Sequence, residues 1–229
     1  MVKLFLKIIT SLSVSLFTII HPIYSQKQEA YNFFLKFQGL FTNGNFIEAE
    51  QCMENVIYSQ EKLTSEYLAA AYNNIGLIKK NLGLYKEAIN YYNIAETITI
   101  KKNSHSLILA DIYINKSRIY TFNKSYNTGI EYLEKAIRIY HEIGTEDKNI
   151  FYRLSTAYLN LGIVYYELND FQKALESLNK SLNIREKYAL PDAGLTYLNL
   201  AKTYFRLGEY KKAESFFLKS IESFEKEYG

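Results

Sequence analysis

Tyr158, Gly162, Tyr165, Phe171 and Ala174 recur 39 residues later as Tyr197, Ala201, Tyr204, Tyr210 and Ala213, with every spacing preserved. In each set a small residue has an aromatic four positions before it, an aromatic nine after it and a second small residue twelve after it. The same grid fits two earlier stretches. Gly76 and Ala88 are flanked there by Tyr72 and Tyr85, and Ser117 and Gly129 by Tyr113 and Tyr126. A worn copy near the start keeps Phe33, Phe46 and Ala49 but puts bulky Phe37 at the first small position. A repeated unit of this kind constrains the fold more than any composition does, because one unit cannot bury its apolar face alone and neighbours must stack.

Each copy carries two apolar stripes at helical spacing, separated by a turn near Gly44, Gly83, Asn169 or Gly208. Gly and Asn tolerate the left-handed backbone that ends a helix. The small residues allow paired helices to approach closely, and the aromatics fill the hollows beside them. A Phe at Gly162 or Ala174 is expected to overpack that pair by ~1–3 kcal/mol. Proline is confined to Pro22 and Pro191, so long helices are uninterrupted.

The grid resembles the tetratricopeptide repeat, whose pattern runs aromatic-x2-Leu-Gly-x2-Tyr, then Ala, an aromatic and Ala. The resemblance covers roughly residues 30–229. It implies an all-α, right-handed superhelical solenoid of about five antiparallel hairpins, with copies near 30–64, 69–103, 108–144, 150–189 and 192–228. Three departures stand out. The copies are 39 to 45 residues apart where the family's usual period is 34. Lys79 replaces the first helix's tyrosine in the second copy, and the proline that normally closes the second helix is missing.

Residues 1–25 follow another plan. Lys3 and Lys7 precede an uncharged run from Ile8 to Ile20, and the segment from His21 through Pro22 to Ser25 breaks it. That is the layout of a secretory signal peptide. The run is about 13 residues, shorter than the ~20 that span a bilayer. Secretion or export to a periplasm is therefore expected. Ile23 stands where a small residue is commoner, which leaves an uncleaved membrane anchor over Leu4–Ile20 as the alternative.

Charge and chemistry narrow the function by exclusion. The chain has 27 basic and 24 acidic residues. Loss of Lys3 and Lys7 with the signal leaves a net charge of +1. The cations are scattered, so the concentrated footprint that nucleic acid requires is missing. Cys52 stands alone, which excludes an internal disulfide or a thiolate zinc site, and it reads as a small buried hydrophobe. His21, His105 and His141 are far apart. No glycine-rich phosphate loop or nucleophile elbow is found. No metal, cofactor, small-molecule substrate or enzymatic activity is expected.

Asn74, Asn115, Asn160 and Asn199 each lie two places before the first small residue of their copy, where the first copy has Leu35. In proteins that this chain resembles, the first helix of each pair lines the groove, and an asparagine here pairs with the backbone of an extended peptide. An amide has the donors and acceptor for that without reading side chains. Tying one helix to its neighbour is the competing role. By phase the groove also takes Asn73, Lys80, Arg118, Tyr166, Lys202, Phe205 and Arg206, whose cations favour a ligand with acidic character or a free carboxylate. On the last helix, Phe216, Ile221 and Phe224 form an apolar edge, from which self-association or a further partner is expected. The chain is thus read as a protein- or peptide-binding adaptor. A sensory input module of a bacterial signalling system, truncated or acting in trans, is the alternative.

Overall fold

The computed structural model describes residues 28–58, 64–102, 106–144 and 147–228. The signal-like segment 1–25, with His21, and also His105 lie outside them. Among the described residues there are ten helices and no strand. They are α1 (28–42), α2 (Phe46–Tyr58), α3 (Ser65–Asn81), α4 (Tyr85–Lys102), α5 (Leu107–Phe122), α6 (Tyr126–Ile143), α7 (Lys148–Glu167), α8 (Phe171–Tyr188), α9 (Ala193–Arg206) and α10 (Tyr210–Tyr228). Consecutive helices pair as five hairpins. The chain divides into two compact units, Met1–Lys102 and Asn103–Gly229. None of the described helices is long and apolar enough to cross a membrane.

The five hairpin turns share one hydrogen-bond scheme. In the turn of α3 and α4, the Gly83 amide donates to Lys80 O at 3.0 Å and the Leu84 amide to Lys79 O at 2.9 Å. Such a paired closure satisfies carbonyls that a helix end leaves open, and it needs one residue in the left-handed region. Gly44, Gly83, Asn169 and Gly208 fill that place with φ of 77°, 77°, 60° and 76°. The remaining turn uses Lys124, at φ 61°, a residue without the composition signal of the others. Helix starts are fixed by side chains where the sequence allows. Ser106 Oγ accepts from the Leu109 amide at 3.3 Å, and Asp170 Oδ1 from the Lys173 amide at 3.2 Å.

In the first unit, α1 to α4 enclose Phe37, Ala49, Met53, Val56, Ala71, Ile75 and Ile78. Phe37 fills its small-residue position from within this core. In the second unit, one core joins α5, α6 and α7 through Leu109, Leu133, Ala136, Leu154, Ala157 and Leu161. Another joins α7, α8 and α9 through Leu159, Leu178, Leu182 and Leu200. The repeated small residues work as their spacing implies. A Cβ built on Gly162 would lie 2.6 Å from Leu178 Cγ and 3.2 Å from Ala174 O, so only glycine allows α7 and α8 this approach.

Candidate functional site

The four phase-matched asparagines have four different surroundings. In the first unit, Asn74 is half-buried and donates from Nδ2 to Met53 Sδ at 3.4 Å, which ties α3 to α2. Asn73 and Lys80 are half-buried on the same helix. In the second unit, Asn115 is only 9% exposed and belongs to the packed interior. Asn160 is half-buried, and its Nδ2 is enclosed with no acceptor in reach among the described residues. Asn199 is half-buried and donates to Leu195 O, one turn back in its own helix, at 2.8 Å. Equal phase along a helix sets the angle of a side chain, while the neighbouring helix decides what it meets. The Asn74 amide thus bonds a neighbouring helix, whereas the Asn199 amide bonds only within its own.

The aromatic and cationic residues of the same face converge more closely. Lys202 Nζ of α9 lies 5.5 Å from the centroid of the Tyr166 ring of α7, and Arg206 Cζ lies 5.7 Å from it. Arg206 also covers Phe171 at 5.0 Å and donates to Asn169 Oδ1 at 2.8 Å. The Tyr166 and Phe171 rings are 5.8 Å apart at 60°. Cations over ring faces gain ~0.5–1 kcal/mol each at exposed sites. Lys202 and Arg206 remain exposed, so their charge is open to a ligand. Arg118, exposed on α5, holds the position in register with Lys202. Phe205 is 56% exposed and meets Tyr210 at 5.4 Å and 63°.

Of the three edge residues on α10, Phe216 stacks on Tyr204 at 5.5 Å and 6° within its own hairpin. The Phe224 ring lies against Gly194, where a Cβ would come within 2.9 Å of it. Ile221 is 54% exposed. The apolar edge is therefore narrower than a count of its aromatics implies, because both phenylalanines pack onto α9.

Three charged networks join residues that no local sequence period links. The Arg153 guanidinium of α7 pairs with the Asp111 carboxylate of α5, which also accepts from Tyr140 Oη at 3.0 Å. Burial, reinforced by the Asp111 charge and that hydrogen bond, pushes the Tyr140 hydroxyl far above its ordinary value. Buried Arg185 of α8 donates to Pro191 O and, at 3.2 Å, to Thr156 Oγ1, and lies 5.2 Å from the Tyr152 ring. Tyr152 in turn donates to Asp192 Oδ2 at 2.5 Å. The connection between α8 and α9 that these contacts reach has two left-handed residues, Ala189 and Asp192, with φ of 48° and 63°. In the first unit, Lys79, the departure from the aromatic pattern, pairs with Glu50 at 2.8 Å and Glu87 at 3.8 Å. The Glu50 hydrogen bond is the main cause that raises its ammonium pKa. No group of three or more His, Cys, Asp or Glu side chains suited to a metal ion occurs among the described residues.

Comparison with known proteins agrees with this architecture. Models of the tetratricopeptide repeat match residues 108–187, and also 69–98 and 196–227. No curated protein matches the sequence. Among solved structures, BtubC (BKLC) from P. vanneervenii is similar with a TM-score of 0.75 at 19% identity, covering 90% of this chain and 88% of that one. A Rap protein complexed with Competence and Sporulation Factor gives 0.69 at 20%, covering 86% of this chain and 54% of that one. PilF of Pseudomonas aeruginosa gives 0.66 at 18%, covering 86% and 78%. At these identities the likeness speaks for the fold. The repeat matches together take in more than half of the sequence, and the chain belongs to the tetratricopeptide repeat family.

Proposed function

We propose that this chain is a non-catalytic adaptor that captures a segment of another polypeptide on the α5, α7 and α9 face of its second unit. The observation that carries the reading is the pair of exposed cations, Lys202 and Arg206, held over the Tyr166 ring. A ring flanked by two cations suits a peptide with an acidic side chain or a free carboxylate, since charge-assisted bonds are about twice as strong as neutral ones. Arg118 adds a third cation in register. The cations must supply most of the affinity, since a neutral hydrogen bond nets only ~0.5–1.5 kcal/mol while micromolar binding needs ~8 kcal/mol. The solved Rap protein complexed with Competence and Sporulation Factor is a similar fold that takes a binding partner, which supports a binding role.

The plan of residues 1–25 supports a secreted or periplasmic site of action. N-terminal sequencing of the protein isolated from its host tests this part, because an intact Met1 would remove the cleaved-signal reading. The binding part is tested by isothermal titration of acidic peptide libraries against wild type and the Lys202→Ala/Arg206→Ala variant. At least a tenfold loss is expected in the variant. Equal affinity in a variant with an unchanged melting curve would reject the face as the binding site. Co-purification of an envelope complex would favour the adaptor over the sensory module.

A further inference from the structure

The last hairpin repeats a surface that the hairpin before it has covered. Tyr166 and Phe171 form a tilted aromatic pair across the α7–α8 turn, and Lys202 and Arg206 of α9 close over it. Phe205 and Tyr210 stand 39 residues later in the same register, with nearly the same geometry, 5.4 Å and 63°. They are 56% and 64% exposed. The register extends along the second helix. Leu182 of α8 packs with Leu200 of α9 and is 7% exposed, while its counterpart Ile221 on α10 is 54% exposed. The chain itself thus shows what fits such a surface. It is a helix that brings two cations one turn apart to the aromatic pair and an apolar residue to the aliphatic position.

We propose that the Phe205, Tyr210 and Ile221 side of the last hairpin docks an amphipathic helix of a separate protein bearing Lys or Arg at positions i and i+4. Charge favours that occupant. Glu214 and Glu225 are exposed on the same side of α10, one heptad before and one turn after Ile221, and Glu214 replaces the aliphatic Leu175 of the preceding copy. Opposite charges along a docked helix steer its approach and set its register. A second copy stacked head to tail fits poorly. On α1, Gln38 and Thr42 occupy the positions of Lys202 and Arg206, so the cations are missing.

The test uses the full chain and, as probe, a fluorescent, helix-stapled peptide copying residues 193–209. Fluorescence anisotropy is expected to show saturable binding. It should weaken at least tenfold when the peptide carries Lys202→Ala and Arg206→Ala, and again when the protein carries Phe205→Ala/Tyr210→Ala or, separately, Ile221→Lys. Thermal melts establish that each variant is folded. Absence of saturable binding, or binding indifferent to these substitutions, overturns the proposal. Sedimentation that finds a dimer of the wild type, made monomeric by Ile221→Lys, would also overturn it by assigning the surface to a second copy.

Discussion

Arg153 on α7 pairs with Asp111 on α5, one hairpin back, and Tyr140 of the intervening α6 donates to the same carboxylate. Three helices are thereby joined at one point in the second unit. Asp111→Asn keeps the shape and removes the charge. The pair is about one-third exposed, which weakens it through solvent screening. A loss of roughly 1 kcal/mol is expected, read as a lower urea midpoint with an unchanged slope. An Asp111→Asn/Arg153→Met cycle should show coupling of similar size, whereas additive effects would mean that the pair contributes nothing net.

The same cluster sets a response to alkali. Unfolded tyrosine loses its proton near pH 10, and folded Tyr140 holds it well beyond that because burial and the Asp111 charge oppose ionisation. Above pH 10 the folded state binds more protons than the unfolded one, so rising pH favours unfolding. The contribution of Tyr140 is fully present below pH 10 and declines above it by up to ~1.4 kcal/mol per pH unit. Urea titrations between pH 9 and 11 should show a steeper decline in wild type than in Tyr140→Phe. Parallel curves would remove Tyr140 as the source.

Gly162→Ala tests the close approach of α7 and α8. Alanine gains helix propensity of ~1 kcal/mol over glycine. Its methyl would meet the fully buried Leu178 at 2.6 Å, which overpacking data place at ~1–3 kcal/mol. Clash is expected to win, with a net loss of about 1 kcal/mol in thermal or urea unfolding. A gain in stability would show that the helices separate at little cost.

The hairpins are legible in the sequence because a small residue is demanded wherever two helices cross closely, and Gly162 and Ala174 mark that crossing. Four of the five turns were legible through Gly44, Gly83, Asn169 and Gly208. Lys124 was not, since an unbranched side chain can be held left-handed, at a cost, by the hydrogen bonds on either side of it. The phase of Asn74, Asn115, Asn160 and Asn199 was readable, but their environments were not. The burial of Asn115 and the sulfur contact of Asn74 depend on which neighbouring helix covers them. Arg153 with Asp111, and Arg206 with Phe171, join positions tens of residues apart, where no local period carries a signal.

Cys52 offers a probe of the first unit alone. It is buried among Phe37, Met53 and Val56, and burial raises its thiol pKa. Thiolate is the reactive form. Reaction with a thiol reagent at pH 8 should therefore be far slower than for a free thiol and should report the opening of the α1–α4 core. Prompt labelling of the folded protein would contradict the packing of α2.

The ring of Tyr166 already lies against the two cations that an acidic ligand would seek. Both cations stay exposed while the ring holds them side by side, so an acidic ligand bound as proposed would meet two charges already placed for it. Tyr166 would then lower the ordering cost of binding, and its removal should weaken capture while leaving the charge of the face unchanged.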